Sequence, residues 1–281
     1  MRLIIQPDDG VTPILKAINK ARKSIDIVVF RFDVDAIETA LTKAVERGVV
    51  VRALIAHTNR GGASKLRKLE SKLLKAGVTL SRTANDMVRY HGKLLLIDRR
   101  EAYVFGFNYT HQDIEKSRSF GLTTRNPKVV RDIFQVIEAD HNRTDIAVKS
   151  SRVVVSPENA RERLEAFIKK AKRELLIYDV NVSDDKMIGL LKQRAEAGVK
   201  IKVLGKVEKK WAAELPWKVK PFSGPKLHVR CIVRDNEAAF VGSQSLRKLE
   251  LDDRREVGLI TKDPRAVRGI TRVFAVDWKR S

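Results

Sequence analysis

Two histidines hold the reactive potential of this chain. His91 lies in YHGKLLLID with Lys93 and Asp98, and His228 lies in LHVRCIVRD with Arg230 and Asp235. The spacing is the same in both stretches, and a single offset of 137 residues relates all three pairs. One copy of so short a pattern would carry little weight. Two copies in fixed register imply duplicated half-domains able to set two imidazoles face to face, as general acid–base and nucleophilic chemistry requires. On a strand, residues two apart share a face, so each histidine has a cation beside it.

The elements that must position these residues are also duplicated. The 137-residue register takes Gly121-Leu122 to Gly258-Leu259, Pro127 to Pro264, Val130-Arg131 to Val267-Arg268 and Asp140 to Asp277. Upstream the register is 150 residues: RLIIQP from Arg2 matches RVVVSP from Arg152, and Gly48 matches Gly198. The 13-residue difference places one insertion or deletion between Gly48 and His91. A repeat this long predicts two similar units, not a solenoid. Short apolar, β-branched runs predict strands over Ile25–Val29, Val49–Leu54, Leu94–Ile97, Tyr103–Phe105, Leu175–Val180 and Lys200–Leu204. Helical spacing predicts helices over Ala36–Arg47 and Lys186–Ala197, ended by Gly48 and Gly198, with proline-led closing helices over Pro127–His141 and Pro264–Trp278. This alternation predicts an α/β fold with parallel or mixed sheets, in halves 1–148 and 149–281, with the boundary in the short polar segment Lys149–Ser151.

Composition bounds the function classes. A chain of 281 residues with 43% hydrophobic residues can bury a full core. The single cysteine, Cys231, excludes an internal disulfide framework and gives no zinc cluster, and a reducing compartment fits best. MRLIIQPDDG breaks at Pro7 too early for a signal peptide, and no apolar run reaches membrane length. The expectation is a cytoplasmic protein, peripheral at most to an anionic membrane. A net charge of +22 implies attraction to polyanions: nucleic acid, anionic lipid or a phosphorylated substrate. Basic residues are spread along the chain without a stripe, and 6% aromatics give no evident base-stacking platform.

The paired His-x-Lys-x4-Asp pattern, the small and polar residues after each copy, and Glu256-x-Gly258 after the second resemble the phospholipase D superfamily over nearly the whole chain. The resemblance implies two α/β/α halves related by a pseudo-twofold axis, with one active site at their junction, so a monomer would suffice. It implies a phosphodiesterase or phosphatidyltransferase. One histidine becomes a phosphohistidine and the other protonates the leaving oxygen before water or an alcohol completes the turnover. The chemistry is sound on its own terms. A phosphodiester repels anionic nucleophiles, a neutral imidazole does not, and a nearby cation offsets charge on the non-bridging oxygens. No metal or cofactor is needed.

His91 is assigned as nucleophile and His228 as general acid, with Lys93 and Arg230 as the charge clamp. Glu256 lies where the family has an acid that orients a histidine, and pseudo-symmetry directs it to His91 of the other half. Its first-half counterpart is Ser119, which holds no charge, so His228 is expected to be less firmly oriented. Asn108, Ser243 and Ser245 occupy the family's phosphate-donor neighbourhood, although serine stands where asparagine is usual in the second copy and Phe105 replaces a small residue in the first. Arg230 departs from the family's lysine: it keeps the charge but donates through a planar fork. Asp98 and Asp235 fall beyond reach of the cleft by strand alternation and are expected to make structural hydrogen bonds within strands or between halves. Gln244 reads equally as a phosphate donor or as a polar residue at a strand end, and His57, His111 and His141, which have no repeat partners of their own type, are treated as ordinary.

Two functions follow from these residues. One is a metal-independent diesterase on a phospholipid or nucleic acid, with phospholipid slightly ahead. The other is a non-catalytic basic module that binds nucleic acid or anionic membranes on the same fold, suggested by Arg230, Ser119 and the irregular asparagine positions. Substrate preference is expected to lie in the loops Thr58–Ser64, Tyr109–Ser117, Lys206–Pro225 and Leu246–Arg255.

Overall fold

A computed structural model describes residues 1–58, 63–212 and 215–281. The loops expected to set substrate preference therefore extend, at 59–62 and 213–214, outside the described residues. The first half begins β1 (Arg2–Gln6), α1 (Thr12–Asn19), β2 (Ser24–Val29), α2 (Asp35–Glu46), β3 (Val50–Ile55), α3 (Ala63–Lys75) and β4 (Thr79–Arg82). It continues through β5 (Arg89–Tyr90), β6 (Leu94–Ile97), β7 (Glu101–Phe105), α4 (His111–Glu115), β8 (Ser117–Thr124) and α5 (Pro127–Asn142). The second half repeats the series. It runs β9 (Val153–Ser156), α6 (Ala160–Lys169), β10 (Glu174–Val182), α7 (Asp185–Glu196), β11 (Lys200–Val207), α8 (Lys209–Ala212) and β12 (Lys218–Lys220). It ends with β13 (Lys226–Leu227), β14 (Arg230–Arg234), β15 (Ala238–Gly242), α9 (Lys248–Asp252), β16 (Arg254–Thr261) and α10 (Pro264–Arg280).

Each half builds one mixed sheet with the same strand order, β1-β8-β7-β6-β2-β3-β4 in the first and β9-β16-β15-β14-β10-β11-β12 in the second. β2, β3 and β4 run parallel, and β6, β7, β8 and β1 follow antiparallel. The α/β duplication expected from the two registers is therefore present. One apolar cluster packs α1, α2 and α3 against the outer face of the first sheet, and a second packs α6 and α7 against the second sheet. A third joins the halves, with residues of α5 and α10 between strands of both sheets. Each of these two helices opens with proline behind a capping side chain: Asn126 accepts from Val129 N, and Asp263 accepts from Arg265 N and Ala266 N. Gly48 and Gly198 end α2 and α7 at φ +80° and +85°, a conformation glycine adopts without strain. Among the described residues no helix is long and apolar enough to cross a membrane.

The strand pattern does not single out β8 or β16, because serine, arginine, threonine and glycine interrupt their apolar residues. Both are almost entirely buried. Their polar residues are satisfied across the junction of the halves. Arg118 of β8 pairs with Asp277 of α10 at 3.0 Å, and its repeat partner Arg255 of β16 pairs with Asp140 of α5 at 2.9 Å. These reciprocal buried pairs explain why Asp140 and Asp277 share the repeat register.

The halves also exchange short strands. β5 adds in parallel to β16 (Arg254↔Arg89, Arg255↔Tyr90), and β13 adds in parallel to β8 (Lys226↔Ser117, Leu227↔Arg118). The next backbone donors continue each exchange: His91 N donates to Arg255 O at 2.7 Å, and His228 N donates to Arg118 O at 3.1 Å. Each histidine is thus held against the strand of the opposite half.

Candidate active site

The strand exchange sets the first half-site. Since His91 rides on β16 beside Arg255, the following residue of that strand, Glu256, comes within reach of its ring. His91 Nδ1 lies 2.8 Å from Glu256 Oε2 and 3.0 Å from Oε1. His91 is 7% exposed and Glu256 0%. A carboxylate only accepts, so the ring donates from Nδ1 and keeps its lone pair on Nε2. Phe30, at the end of β2, meets the imidazole edge-on at 4.4 Å. Ser243 lies against the same strand, its hydroxyl 3.3 Å from Val257 N.

Lys93, 1% exposed, donates from Nζ to His91 O at 2.6 Å and sits 5.4 Å from the centre of the Phe30 ring. Arg230 repeats the first of these contacts: its Nη1 donates to His228 O at 2.9 Å. Its Nε reaches Ser245 Oγ at 3.3 Å, so the fork engages two groups where Lys93 engages one carbonyl.

His228 is held differently. Its side chain is 14% exposed, and its Nδ1 has no hydrogen-bond partner among the described residues. Ser119, the counterpart of Glu256, is buried with its hydroxyl unpartnered. A carboxylate is nevertheless near, at a position the sequence reading passed over: Asp113 Oδ2 lies 3.6 Å from His228 Nδ1. Asp113 also accepts from Asn108 N at 3.0 Å and Asn108 Nδ2 at 2.6 Å. Its repeat partner is Glu250, which accepts from Ser245 N at 2.7 Å. The carboxylate near His228 thus comes from Asp113 and not from the Ser119 position, and at 3.6 Å it stands farther from the ring than Glu256 does from His91.

Burial dominates the electrostatics. It holds the His91 imidazole well below its ordinary value, and the charges of Lys93 and Arg230 act in the same direction. Burial does the same to His228, with Arg230 adding to it and Asp113 opposing. Both rings are therefore neutral at neutral pH. Burial brings the Lys93 ammonium down to about 7 despite the nearby Glu256. It pushes the Glu256 carboxyl up, against Lys93, Ser243, Arg230 and Arg254. Each imidazole feels the cation of the other half.

Asp98 and Asp235 lie away from the histidines, in the turns after β6 and β14. Asp98 accepts from the backbone N–H groups of Arg22, Lys23 and Ser24, and Asp235 from those of Lys172, Arg173 and Glu174. These bonds stay within one half, which removes the inter-half alternative. Gln244 is buried and donates to Val154 O at 3.1 Å. Of the residues the sequence reading missed, Asp113 and Glu250 share the 137-residue register, which could have found them. Arg254, 3.8 Å from Glu256 Oε1, and Phe30 have no matching residue type in the other half and left no signal.

A family model described as "Cardiolipin synthase, PLD-like domain" matches residues 14–141 and 164–278. Among curated proteins, the chain is 26% identical to mitochondrial cardiolipin hydrolase of Danio rerio, over 43% of this chain and 52% of that protein. It is 24% identical to cardiolipin synthase B of Salmonella typhimurium, over 94% of this chain and 76% of that protein. Among solved structures, polyphosphate kinase from Porphyromonas gingivalis superposes with a TM-score of 0.81 at 19% identity, over 99% of this chain and 50% of that one. Phosphatidylserine synthase from Haemophilus influenzae superposes with a TM-score of 0.74 at 10% identity, over 99% of this chain and 86% of that one. The chain thus spans about half the length of the first of these relatives and of the first of these structures. At such identities the structural likeness concerns the fold.

Proposed function

The chain belongs to the cardiolipin synthase, phospholipase D-like domain family, and from that premise we propose that it cleaves or transfers phosphodiesters through a phosphohistidine on His91. The observation that carries the proposal is the buried His91–Glu256 pair, in which a carboxylate holds the Nδ1 proton and leaves Nε2 as nucleophile. As Nε2 attacks, the P–N bond forms and positive charge spreads over the ring, where Glu256 stabilises it. Lys93 and Arg230 offset the charge gathering on the non-bridging oxygens. His228 gives a proton to the departing oxygen as the P–O bond breaks. Water or an alcohol then loses its proton to His228 and displaces His91 from phosphorus.

Protonation of His228 is costly, because burial and Arg230 both oppose it. An incoming diester supplies the negative charge that lowers this cost, so the general acid is charged as substrate binds. Lys93, brought down to about 7, responds in the same sense. The machinery is made of side chains of this chain and calls for no metal.

Relatives named for cardiolipin make a phospholipid the first substrate to test, with a nucleic-acid diester second, and the +22 charge suits either. The test is hydrolysis of a chromogenic phosphodiester in excess EDTA by the wild type and by His91→Ala, with a denaturing quench to trap the phosphorylated histidine. Turnover and a trapped adduct that both vanish in the variant are expected. Equal behaviour of the two proteins, with salt-sensitive binding to DNA or anionic vesicles, would favour the non-catalytic basic module.

A further inference from the structure

The two half-sites are not equivalent, and the difference lies in their carboxylates. Glu256 serves His91 from the strand position where the other half has Ser119, whose hydroxyl is buried and unpartnered. Near His228 the carboxylate comes instead from α4. Resting on the function proposed above, we propose that Asp113 is the positioning residue of His228, taking the role that Glu256 holds for His91.

Three observations point to this. First, Asp113 Oδ2 is 3.6 Å from His228 Nδ1, a nitrogen with no other polar partner among the described residues. Second, the charge of Asp113 is not spent elsewhere: among the described residues His228 is its sole ion-pair partner. Its repeat partner Glu250 is neutralised by Arg254 at 3.2 Å and Arg247 at 3.4 Å, and the half-site of Glu250 already has Glu256. Third, both Asn108 donors converge on the one Asp113 oxygen that faces His228, which fixes its place. Burial pushes the Asp113 carboxyl up, but His228, the Asn108 donors and Lys93 outweigh it, so it is ionised at neutral pH.

The consequence is chemical. To give a proton from Nε2, His228 passes through an imidazolium that carries a second proton on Nδ1, the nitrogen facing Asp113. The carboxylate stabilises that cation without taking the proton and orients the ring. Asp113 therefore acts on the step in which the leaving oxygen is protonated, and hardly at all where the leaving group departs as a stable anion.

Asp113→Asn separates this role from the local scaffolding of Asn108, since the amide oxygen still accepts from Asn108 N while the charge is gone. First-turnover rates are compared for a p-nitrophenyl diester, whose phenolate needs no proton, and for a dialkyl diester, whose alkoxide does. The expected result is a loss of about 30-fold or more on the dialkyl diester, because the imidazolium formed on His228 loses the carboxylate that faces it, with nitrophenolate release within about threefold of wild type. His228→Ala should show the same selectivity more strongly. Equal losses on both diesters, or none on either, would overturn the proposal. The wild type gives a second, independent reading through the ¹⁵N shifts of His228: the Nδ1–H tautomer is expected, and the Nε2–H tautomer would overturn the pairing even if Asp113→Asn does not fold. A wild type inactive on both diesters would count against the proposed function, while the tautomer would still decide the placement of Asp113.

Discussion

Replacing Glu256 by glutamine changes one oxygen to an amide at the centre of the site and keeps the side chain's shape. The carboxylate is fully buried, with its oxygens 2.8 and 3.0 Å from His91 Nδ1. Loss of a charge-assisted hydrogen bond of this kind costs about 1.5–3 kcal/mol, or roughly 10- to 150-fold in rate. A second effect compounds it. A glutamine that turns its NH2 toward Nδ1 makes that nitrogen an acceptor, which moves the ring proton to Nε2 and blocks attack. In Ser-His-Asp sites the comparable carboxylate-to-amide change costs about 10⁴-fold. Glu256→Gln is therefore expected to lower the single-turnover rate between about 10²- and 10⁴-fold. The assay follows release from a chromogenic diester in EDTA and, in parallel, the quenched phosphohistidine, beside His91→Ala as the floor. Circular dichroism and a cooperative urea transition establish that the variant is folded. A folded Glu256→Gln within threefold of wild type, with His91→Ala inactive, would refute the reasoning, because the carboxylate could then be neither fixing the tautomer nor stabilising the charged ring.

Arg255→Ala leaves the buried Asp140 and the half-buried Glu158 without their cation and should cost about 3–5 kcal/mol in urea unfolding; adding Asp140→Asn should recover part of it, and a double-mutant cycle reads the coupling. Folding stability should also depend on pH through the two site histidines. Their folded values lie below the ordinary value of about 6.5, so below that pH the unfolded chain binds protons that the folded chain refuses. Stability is then intact above about 6.5 and falls by up to about 1.4 kcal/mol per pH unit and histidine as the pH drops toward the folded values. Asp140 and Asp179, raised to about 6 chiefly by burial, act in the opposite sense over the same range. The measurement is therefore the wild-type slope minus that of His228→Gln from pH 7.5 to 5, and identical slopes would refute it. Gly205→Ala should abolish soluble expression or cost more than about 3 kcal/mol in a thermal melt, since at φ +135° an added Cβ would lie 1.7 Å from Asp179 O.

Three kinds of information were legible in the residues alone. The offsets of 137 and 150 residues disclosed the duplication, because a repeated fold needs the same buried and turn-forming residues in the same register. The periodicities located β2, β3, β6, α2, α5 and α10 to within a few residues, since the strands are short apolar runs buried on both faces and the helices carry one apolar stripe. The histidine–cation pairs were legible too, because residues two apart on a strand share a face whatever the rest of the chain does. Glu256 reached His91 on paper only by assuming pseudo-symmetry.

Tertiary structure alone decided the rest. β8 and β16 hide polar residues that are satisfied only by the opposite half, so their sequences do not look buried. The exchange of β5 and β13 between sheets rests on pairings about 165 and 109 residues apart, which no local pattern encodes. The placement of Asp113 beside His228 follows from that exchange, as does the pairing of Glu256 with His91. Local sequence determines which face of a strand a side chain occupies; which carboxylate meets which imidazole depends on how two such strands dock, and docking is a property of the whole core.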